Sequence, residues 1–278
     1  MRKDKIYIKF KFTSKWDNDM MIAMLSSLNF DNFEENEGEV ISYIDSSAIT
    51  TDFEQKLELF SKKYEIRFET EEFKDRNWNE IWESTFEPVQ YKDFCIIIAD
   101  FHNIDTRGYK FIIKINPEMT FGTGHHETTM MMIELMSEMN FSKTNVVDFG
   151  SGTGILAILA EKMGANKILA IDNDSNAVEN IIANAEKNEC KAIESQYNAS
   201  LETEKHSVDI IFANIEKNVL SIEVENISNC LKKGGIVLLS GILIKDKEFI
   251  IDLYENHSLK LMKSIQSGNW AALKFIAY

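Results

Sequence analysis

A strand-like segment that runs directly into three alternating glycines constrains the fold of this chain more than any other feature. In VVDFGSGTGIL (Val146–Leu156), Gly150, Gly152 and Gly154 follow apolar residues and precede a helical pattern. Glycines at such a point allow a tight turn and a close approach of the backbone to a ligand. The spacing is not the G-x-G-x-x-G of nicotinamide-binding folds, and the absence of a following Lys-Ser/Thr pair excludes a Walker loop. The segment therefore predicts a strand–turn–helix unit with a ligand at the turn.

From about Tyr91 onward, strand-like segments alternate with helical segments as far as the C-terminus. This alternation predicts an α/β domain over residues 91–278, with a mostly parallel, doubly wound sheet and helices on both faces. The last two segments, LKLMKSIQ and WAALKFIAY, predict an antiparallel hairpin. Ligands in such sheets bind at the carboxyl ends of the strands, near the point where the strand order reverses.

The first 70 residues show a different pattern. KIYIKFKF (Lys5–Phe12) alternates with period two, and a helical segment follows in which Met21 and Leu25 lie on one face. The order β-α-β-β-α-β predicts a small ferredoxin-like α+β domain over residues 1–70, a fold that serves many functions. Residues 71–90 are mostly charged and carry two tryptophans four positions apart, so they predict a linker helix that ends near Pro88.

Composition narrows the class of partner. The formal net charge of −15 over 278 residues argues against direct nucleic-acid binding and permits a basic protein partner. No segment approaches the roughly 18 apolar residues of a membrane helix, and the N-terminus has no apolar signal-peptide core. The three cysteines are scattered, which predicts neither disulfides nor zinc and favours a reducing, cytoplasmic location. We expect a monomer.

Polar residues at the predicted strand ends carry the chemistry. Asp172 ends the next strand, 18 residues after Gly154, where a carboxylate can accept hydrogen bonds from both hydroxyls of a ribose. Asp148 precedes the glycines and suits a position near a cationic ligand centre. Asn214 ends a later strand, where its amide can face the same crevice or cap the following helix. The glycine loop together with the correctly spaced acid predicts a nucleoside cofactor.

The run FGTGHHETT (Phe121–Thr129) contains two adjacent histidines, His125 and His126, which invite a metal-binding interpretation. A mononuclear site needs three or four ligands, and adjacent side chains diverge in most conformations, so no metal is predicted. His126 is expected to brace the loop. A serine-nucleophile mechanism is also not predicted, because no G-x-S-x-G elbow occurs.

Together, INPEMTFGTGHHETT, VVDFGSGTGILAI and ANI resemble the motifs of the S-adenosylmethionine-dependent methyltransferases that modify ribosomal protein L11. Members of that family carry a D-P-G-x-A-F-G-T-G-T-H-x-T-T run, a D-x-G-x-G-x-G loop and an A-N-I-L-A stretch. The F-G-T-G-x-H-x-T-T pattern is the specific part, whereas the glycine loop alone marks the wider class I methyltransferases. The resemblance extends from about Trp78 to the C-terminus and implies a Rossmann-like class I domain behind a small substrate-recognition domain.

The resemblance also implies the cofactor, S-adenosyl-L-methionine, and its contacts. Thr129 is expected at the methionyl end, Gly150 against the cofactor through its backbone and Asp172 on the ribose hydroxyls. Asn214 is expected beside the sulfonium and the acceptor amine, which makes it the candidate catalytic residue. The implied activity is methyl transfer, by in-line displacement, to lysine side-chain and N-terminal amines of ribosomal protein L11, with Phe121 a candidate for cation–π contact with the methylated ammonium. Two alternatives remain: methylation of another protein or a small-molecule amine, and a non-catalytic cofactor-sensing or ribosome-binding module.

Several positions depart from the family pattern. His125 stands where threonine is usual, and Glu118 follows Pro117 where glycine is usual. NIEKNVL replaces N-I-L-A-x-P-L, which places the charged residues Glu216 and Lys217 near the expected acceptor pocket. The departures concern how the acceptor is held, whereas the cofactor motifs are intact.

Overall fold

A computed structural model describes residues 6–16, 18–26, 28, 30, 33–36, 39–74, 86–116 and 122–278. The chain divides into two compact units, Met1–Phe86 and Glu87–Tyr278. The domain boundaries predicted at residues 70 and 90 stay predictions.

Within its described residues, the N-terminal unit is an antiparallel sheet with two α-helices. Its elements are β1 (Ile6–Thr13), α1 (Asn18–Ser26), β2 (Phe33–Asn36), β3 (Glu39–Asp45), a short 3₁₀ helix (Ser46–Ala48), α2 (Thr51–Tyr64) and β4 (Arg67–Lys74). The strand order is β2-β3-β1-β4, and every neighbouring pair is antiparallel. The predicted β-α-β-β-α-β order is therefore confirmed. The core of this unit contains three buried phenylalanines, Phe10, Phe12 and Phe30, and the ring of Phe30 meets the other two edge to face.

The predicted linker helix does not begin at Glu71, because β4 continues as a strand to Lys74. All eight residues of β4 pair with β1, from Arg67 opposite Thr13 to Lys74 opposite Ile6. β4 is an edge strand, and its charged composition suits the exposed edge of a sheet. That pairing is a tertiary interaction, so the local helix-prone sequence did not reveal it. Residues 75–85, including both tryptophans of the predicted linker, lie outside the described residues.

The C-terminal unit contains a seven-stranded sheet in the order β10-β9-β8-β11-β12-β14-β13. The strands are β8 (Asn145–Phe149), β9 (Lys167–Asp172), β10 (Ile193–Tyr197), β11 (Val208–Asn214), β12 (Leu231–Leu243), β13 (Leu259–Ser267) and β14 (Trp270–Ala277). The pairs from β10 to β12 are parallel, whereas β14 is antiparallel to both β12 and β13. The predicted parallel sheet with a C-terminal antiparallel hairpin is confirmed.

Five α-helices accompany this sheet within the described residues: α3 (Glu127–Ser137), α4 (Ile155–Lys162), α5 (Ser175–Lys187), α6 (Lys217–Cys230) and α7 (Lys247–Glu255). A 3₁₀ helix, Ile244–Asp246, precedes α7. Met132, Leu135 and Met136 of α3 are completely buried, so this face of the helix packs in the core. None of the described helices is both long and apolar enough to cross a membrane.

A three-stranded sheet precedes α3 and was only partly predicted. It consists of β5 (Val89–Tyr91), β6 (Cys95–Ile98) and β7 (Phe111–Lys114), of which the sequence patterns indicated β7 alone. β6 is buried along its whole length and pairs antiparallel with β5 and parallel with β7. Four buried residues without alternation are too short a pattern to separate a strand from any other buried segment.

The strand order of the large sheet reverses at β8. From β8 the chain proceeds outward through β9 to β10, and then returns to place β11 on the other side of β8. The carboxyl ends of β8, β9 and β11 therefore meet around one crevice, which is where open α/β sheets bind ligands.

Candidate active site

A cavity of about 580 Å³ lies at this switch point, within the size range of pockets for small ligands. Its lining comes from the carboxyl ends of the five strands β8 to β12, from the starts of α3 and α6, and from the C-terminal hairpin. Representative lining residues are Gly150, Asp172, Asn198, Asn214 and Trp270. Three of the four residues expected to bind a cofactor are thus brought together by the fold.

The glycine loop after β8 needs glycine for two reasons at Gly150. Its φ of +75° is in the left-handed region that L side chains rarely adopt. A Cβ atom at this position would also overlap Cγ2 of Ile215, which follows β11. Gly241 of β12 also has no room for a side chain, because a Cβ atom there would overlap the carbonyl oxygen of Ile215. The backbone at this end of the cavity is therefore packed at closest approach.

Asp172 is held in place by backbone groups at the end of β9. Its Oδ2 accepts a hydrogen bond from Gly152 N at 2.8 Å, and its Oδ1 accepts one from Asp174 N at 3.0 Å. Each carboxylate oxygen can accept further hydrogen bonds, since an ionised carboxylate offers about four lone-pair sites. The geometry fixes the carboxylate at the cavity wall and leaves it capacity for two ligand hydroxyls.

Asp148 does not line the cavity, contrary to the position expected for it near a cationic centre. It is 1% exposed and lies beneath the glycine loop, where Ser151 Oγ donates to Oδ2 at 2.7 Å and Ala157 N donates to the same atom at 3.1 Å. Burial raises the pKa of Asp148 to about 7, and the negative charge of Asp172 adds to that rise. Asp148 is a structural brace that joins β8 to α4.

Two side-chain oxygens near the cavity are buried and have no hydrogen-bond partner among the residues that the structure describes: Thr129 Oγ1 and Asn214 Oδ1. A buried polar atom without a partner is costly, so such atoms often mark a position that a ligand satisfies. Asn214 lines the cavity. Thr129 does not line it, although the adjacent Thr128 does. The proposed methionyl contact of Thr129 therefore stays a prediction. The orphaned oxygen of Asn214, which lines the cavity, fits a polar cofactor that would supply its hydrogen-bond partner.

The alternative interpretation of Asn214 as a helix N-cap is wrong. Helix α6 begins at Lys217, and its N-cap position is Glu216, two residues after Asn214. The amide of Asn214 is thus not used to cap the helix.

The two histidines have separate structural roles. His126 occupies the N-cap of α3, where its Nδ1 accepts from Thr128 N at 3.3 Å, and its ring meets Trp270 edge to face at 5.0 Å. His125 is exposed, and its ring nitrogens lie 3.2 Å from Thr123 Oγ1 and 2.9 Å from the carbonyl oxygen of Glu87. In addition to capping α3, His126 lines the cavity. The prediction of no metal stays a prediction.

The loop that carries these histidines is tied to the glycine loop. Thr153 Oγ1 donates to the carbonyl oxygen of Gly122 at 2.6 Å. Asn184 of α5 donates to the carbonyl oxygen of Thr153 at 2.8 Å and accepts from Asn116 N at 2.6 Å. The two sequence motifs therefore form one connected structure. Phe121 and Glu118 lie outside the described residues.

Two departures from the family pattern lie at the start of α6. Glu216 lines the cavity and is exposed. Lys217 Nζ lies 2.9 Å from Asp246 Oδ1, so its charge is paired with the segment before α7. Among the lining residues that sequence reasoning missed are Trp270 and Asn198. Trp270 comes from the hairpin, far along the chain from the motifs, and only its place next to the predicted turn at Ser267–Asn269 was visible in the sequence.

The chain matches the family described as ribosomal protein L11 methyltransferase (PrmA) over residues 14–277. It is 37% identical to the ribosomal protein L11 methyltransferase of Porphyromonas gingivalis over 261 residues, 92% of this chain and 90% of that protein. It is 35% identical to the protein of the same name from Phocaeicola vulgatus, covering 97% of this chain and 99% of the relative. A crystal structure of ribosomal protein L11 methylase from Lactobacillus delbrueckii subsp. bulgaricus is similar at a TM-score of 0.62 and 26% identity, over 69% of this chain and all of that one.

Proposed function

The chain belongs to the ribosomal protein L11 methyltransferase family, and from this membership we propose that it methylates lysine side-chain and N-terminal amines of ribosomal protein L11 with S-adenosyl-L-methionine. The observation that carries the proposal is the meeting of Gly150, Asp172 and Asn214 at one cavity. Its size suits a nucleoside cofactor, and it lies where sheets of this topology bind one.

The residues that would hold the cofactor follow from the site. Gly150 offers close backbone approach, and Asp172 offers two fixed carboxylate oxygens for ribose hydroxyls. The buried oxygens of Thr129 and Asn214 have hydrogen-bonding capacity that no other described residue uses. When bound, the cofactor supplies an electrophilic methyl group on a sulfonium sulfur.

The chain's own contribution to the reaction is positioning and desolvation. Asn214 Oδ1 accepts an N–H of the acceptor amine and directs its lone pair, and holding the reactants in attack geometry can lower the barrier by up to about 7–11 kcal/mol. Lysine has a reference pKa of about 10.4, so the amine must lose its proton before it attacks. The half-buried indole of Trp270 excludes water, and such rings attract methylated ammonium groups. We assign no dedicated base, and water carries the proton away.

The cellular setting belongs to the same proposal. All three cysteines are free, and two of them, Cys95 and Cys230, are buried, which suits a reducing compartment such as the cytoplasm. We propose that the enzyme acts as a monomer. The second candidate function is methylation of an amine on another protein or on a small molecule, since the cavity residues serve any amine acceptor.

Intact-mass spectrometry of purified ribosomal protein L11, incubated with the enzyme and S-adenosyl-L-methionine, tests the proposal. We expect mass increments of about 14 Da per methyl group, and fragmentation of the modified protein should locate them on lysines and on the N-terminal amine. A parallel reaction with a mixture of other ribosomal proteins controls for selectivity. Mass increments on another protein, with L11 unmodified, contradict the proposed substrate and leave the reaction class intact. Cofactor binding without any product supports the non-catalytic module instead.

A further inference from the structure

Glu216 is the feature of the cavity that the proposed cofactor site does not use. It lines the cavity two residues after Asn214, and its side chain is exposed. It occupies the N-cap position of α6, yet its carboxylate makes no capping hydrogen bond. No hydrogen bond or ion pair joins this carboxylate to any of the residues that the structure describes.

The charges around Glu216 leave it unneutralised. Lys217, the adjacent cation, is paired with Asp246 at 2.9 Å. The other ionisable residues that line the cavity are Asp172, whose two oxygens accept backbone hydrogen bonds, and His126, whose Nδ1 accepts from Thr128 N. An exposed carboxylate with no partner among the described residues therefore lines the same cavity as the buried, orphaned amide oxygen of Asn214.

We propose that Glu216 is a specificity-determining residue that binds the acceptor's ammonium group as it enters the cavity. The inference rests on the proposed function, because it names how the same site selects its acceptor. The carboxylate recruits a cationic amine, and the amine then moves inward to Asn214. Glu216 does not take the proton, since reference pKa values of about 4.3 for Glu and 10.4 for Lys make that transfer strongly unfavourable.

The attraction between the Glu216 carboxylate and the acceptor's ammonium group has a second consequence. A neighbouring carboxylate favours the charged form of an amine and so raises its pKa. Glu216 therefore strengthens binding of the charged acceptor amine, but it lowers the fraction of the bound amine that is in the neutral, reactive form. Removing the charge should weaken acceptor binding and at the same time make the bound amine easier to deprotonate.

The test compares Glu216→Gln with Glu225→Gln in the full-length enzyme. Glu225 is exposed on the same helix and does not line the cavity, so this control removes the same charge from the same element. With L11 as substrate, we expect Glu216→Gln to raise KM about fivefold, the upper range for an exposed ion pair, without lowering kcat. The pH at which kcat rises to its plateau should move to a lower value, since kcat reports groups in the enzyme–substrate complex. Glu216→Asp, which keeps the charge, should restore most of the wild-type KM.

The outcomes separate this inference from the proposed function. Failure of the wild-type enzyme to methylate L11 contradicts the proposed function itself. If the wild type methylates L11 but Glu216→Gln matches Glu225→Gln in KM and in its kcat–pH profile, the inference is overturned and the proposed function stands. Calorimetry with S-adenosyl-L-methionine should give the same affinity for Glu216→Gln and wild type. A loss of cofactor affinity equal to the rise in KM would assign Glu216 to the cofactor and also overturn the inference.

Discussion

Asp148 and Asp172 lie at the ends of adjacent strands, and their surroundings give two identical side chains opposite roles. Asp172 reaches the cavity wall, where its carboxylate accepts hydrogen bonds from two backbone N–H groups. Asp148 is enclosed beneath the glycine loop, where burial opposes ionisation. Sequence spacing identified both acids, but burial decides which of them is available to a ligand.

Replacing Asp172 with alanine should weaken binding of S-adenosyl-L-methionine by about 1.5–3 kcal/mol, because charge-assisted hydrogen bonds to the ribose are lost. Isothermal titration calorimetry measures this directly. Asp174→Ala is the matched control, because Asp174 caps α5 through Asn176 N at 2.9 Å and does not line the cavity. It should lower stability by about 1 kcal/mol and leave the affinity unchanged. Equal affinities of Asp172→Ala and wild type would refute the ribose role.

Asp148 should make the stability of the protein fall as the pH rises toward neutrality. Its pKa is raised from 3.8 to about 7, chiefly by burial, so between these values the folded state holds a proton that the unfolded state releases. The stabilisation is complete below about pH 4 and is lost as pH rises through about 7. Each unit of pKa difference corresponds to about 1.4 kcal/mol.

Urea unfolding between pH 5 and pH 8 tests this linkage by comparing wild type with Asp148→Asn. Asparagine keeps an oxygen acceptor for Ser151 and Ala157 and does not ionise. The free energy of unfolding of the wild type should fall, relative to that of the variant, across this interval. Curves that stay parallel would show that Asp148 is ionised in the folded protein throughout.

Helix α6 supports the cavity with a buried carboxylate as well as with the exposed one at its start. Glu223 is 4% exposed, and its carboxylate accepts hydrogen bonds from Ser200 Oγ at 2.9 Å, Leu201 N at 3.1 Å and Asn226 Nδ2 at 2.9 Å. These bonds fix the segment after β10, which contains Asn198 of the cavity lining. The helix thus positions a loop that has no regular backbone pairing of its own in this segment.

Glu223→Ala should lower the free energy of unfolding by about 1–3 kcal/mol, because the buried N–H of Leu201 loses its acceptor. Glu223→Gln keeps one oxygen and should lose less. Denaturant unfolding measures both, with Glu225→Ala as the control on the exposed face of the same helix, where changes stay within about 0.5 kcal/mol. A cost for Glu223→Ala no larger than that of the control would mean that water replaces the lost carboxylate.

The elements that could be predicted from sequence are those with a long periodic pattern or a strong local signal. The sequence predicts a helix from about Ser175 to Lys187, and α5 has these bounds, with Asp174 as its N-cap. β5 and β6 were missed because three or four residues carry no period. The extension of β4 to Lys74 could not be predicted, since it depends on pairing with β1.

The residues of the site divide in the same way, into those that lie in local motifs and those that reach the cavity only through tertiary structure. The glycine loop and Asp172 lie within local motifs, so both were found. Trp270 joins the cavity only through the antiparallel placement of β14 beside β12, and no local spacing reports such an arrangement. The distinction between Thr128 and Thr129 in the lining depends on the rotation of α3, which the sequence leaves open.

On the scale of the whole molecule, the formal net charge of −15 is the feature that an incoming protein partner meets first. An acidic enzyme attracts a lysine-bearing acceptor over distances comparable to the Debye length, about 10 Å at 0.1 M salt. Such attraction acts mainly on the rate of encounter. The exposed carboxylate of Glu216 adds to the same field at the cavity opening.

The kcat/KM for L11 should therefore fall as the salt concentration rises, whereas kcat at saturating L11 should change little. Steady-state rates at about 0.05, 0.15 and 0.5 M potassium chloride measure the effect. Circular dichroism at each concentration controls for unfolding. A kcat/KM that is independent of salt would contradict electrostatic steering.

Ile215 lies between Gly150, which follows β8, and Gly241 within β12, and neither glycine has room for a Cβ atom beside it. These three positions, remote in sequence, are therefore packed as one unit. Gly150 and Gly241 have φ values of 75° and 79°, which L side chains rarely adopt, so a substitution at either glycine is strained even where Ile215 is replaced by a smaller residue. For Gly241 a smaller side chain at position 215 gives no relief in any case, because the obstruction is the Ile215 backbone. Of the three positions, Ile215 is thus the one at which a change of side chain carries no such backbone strain.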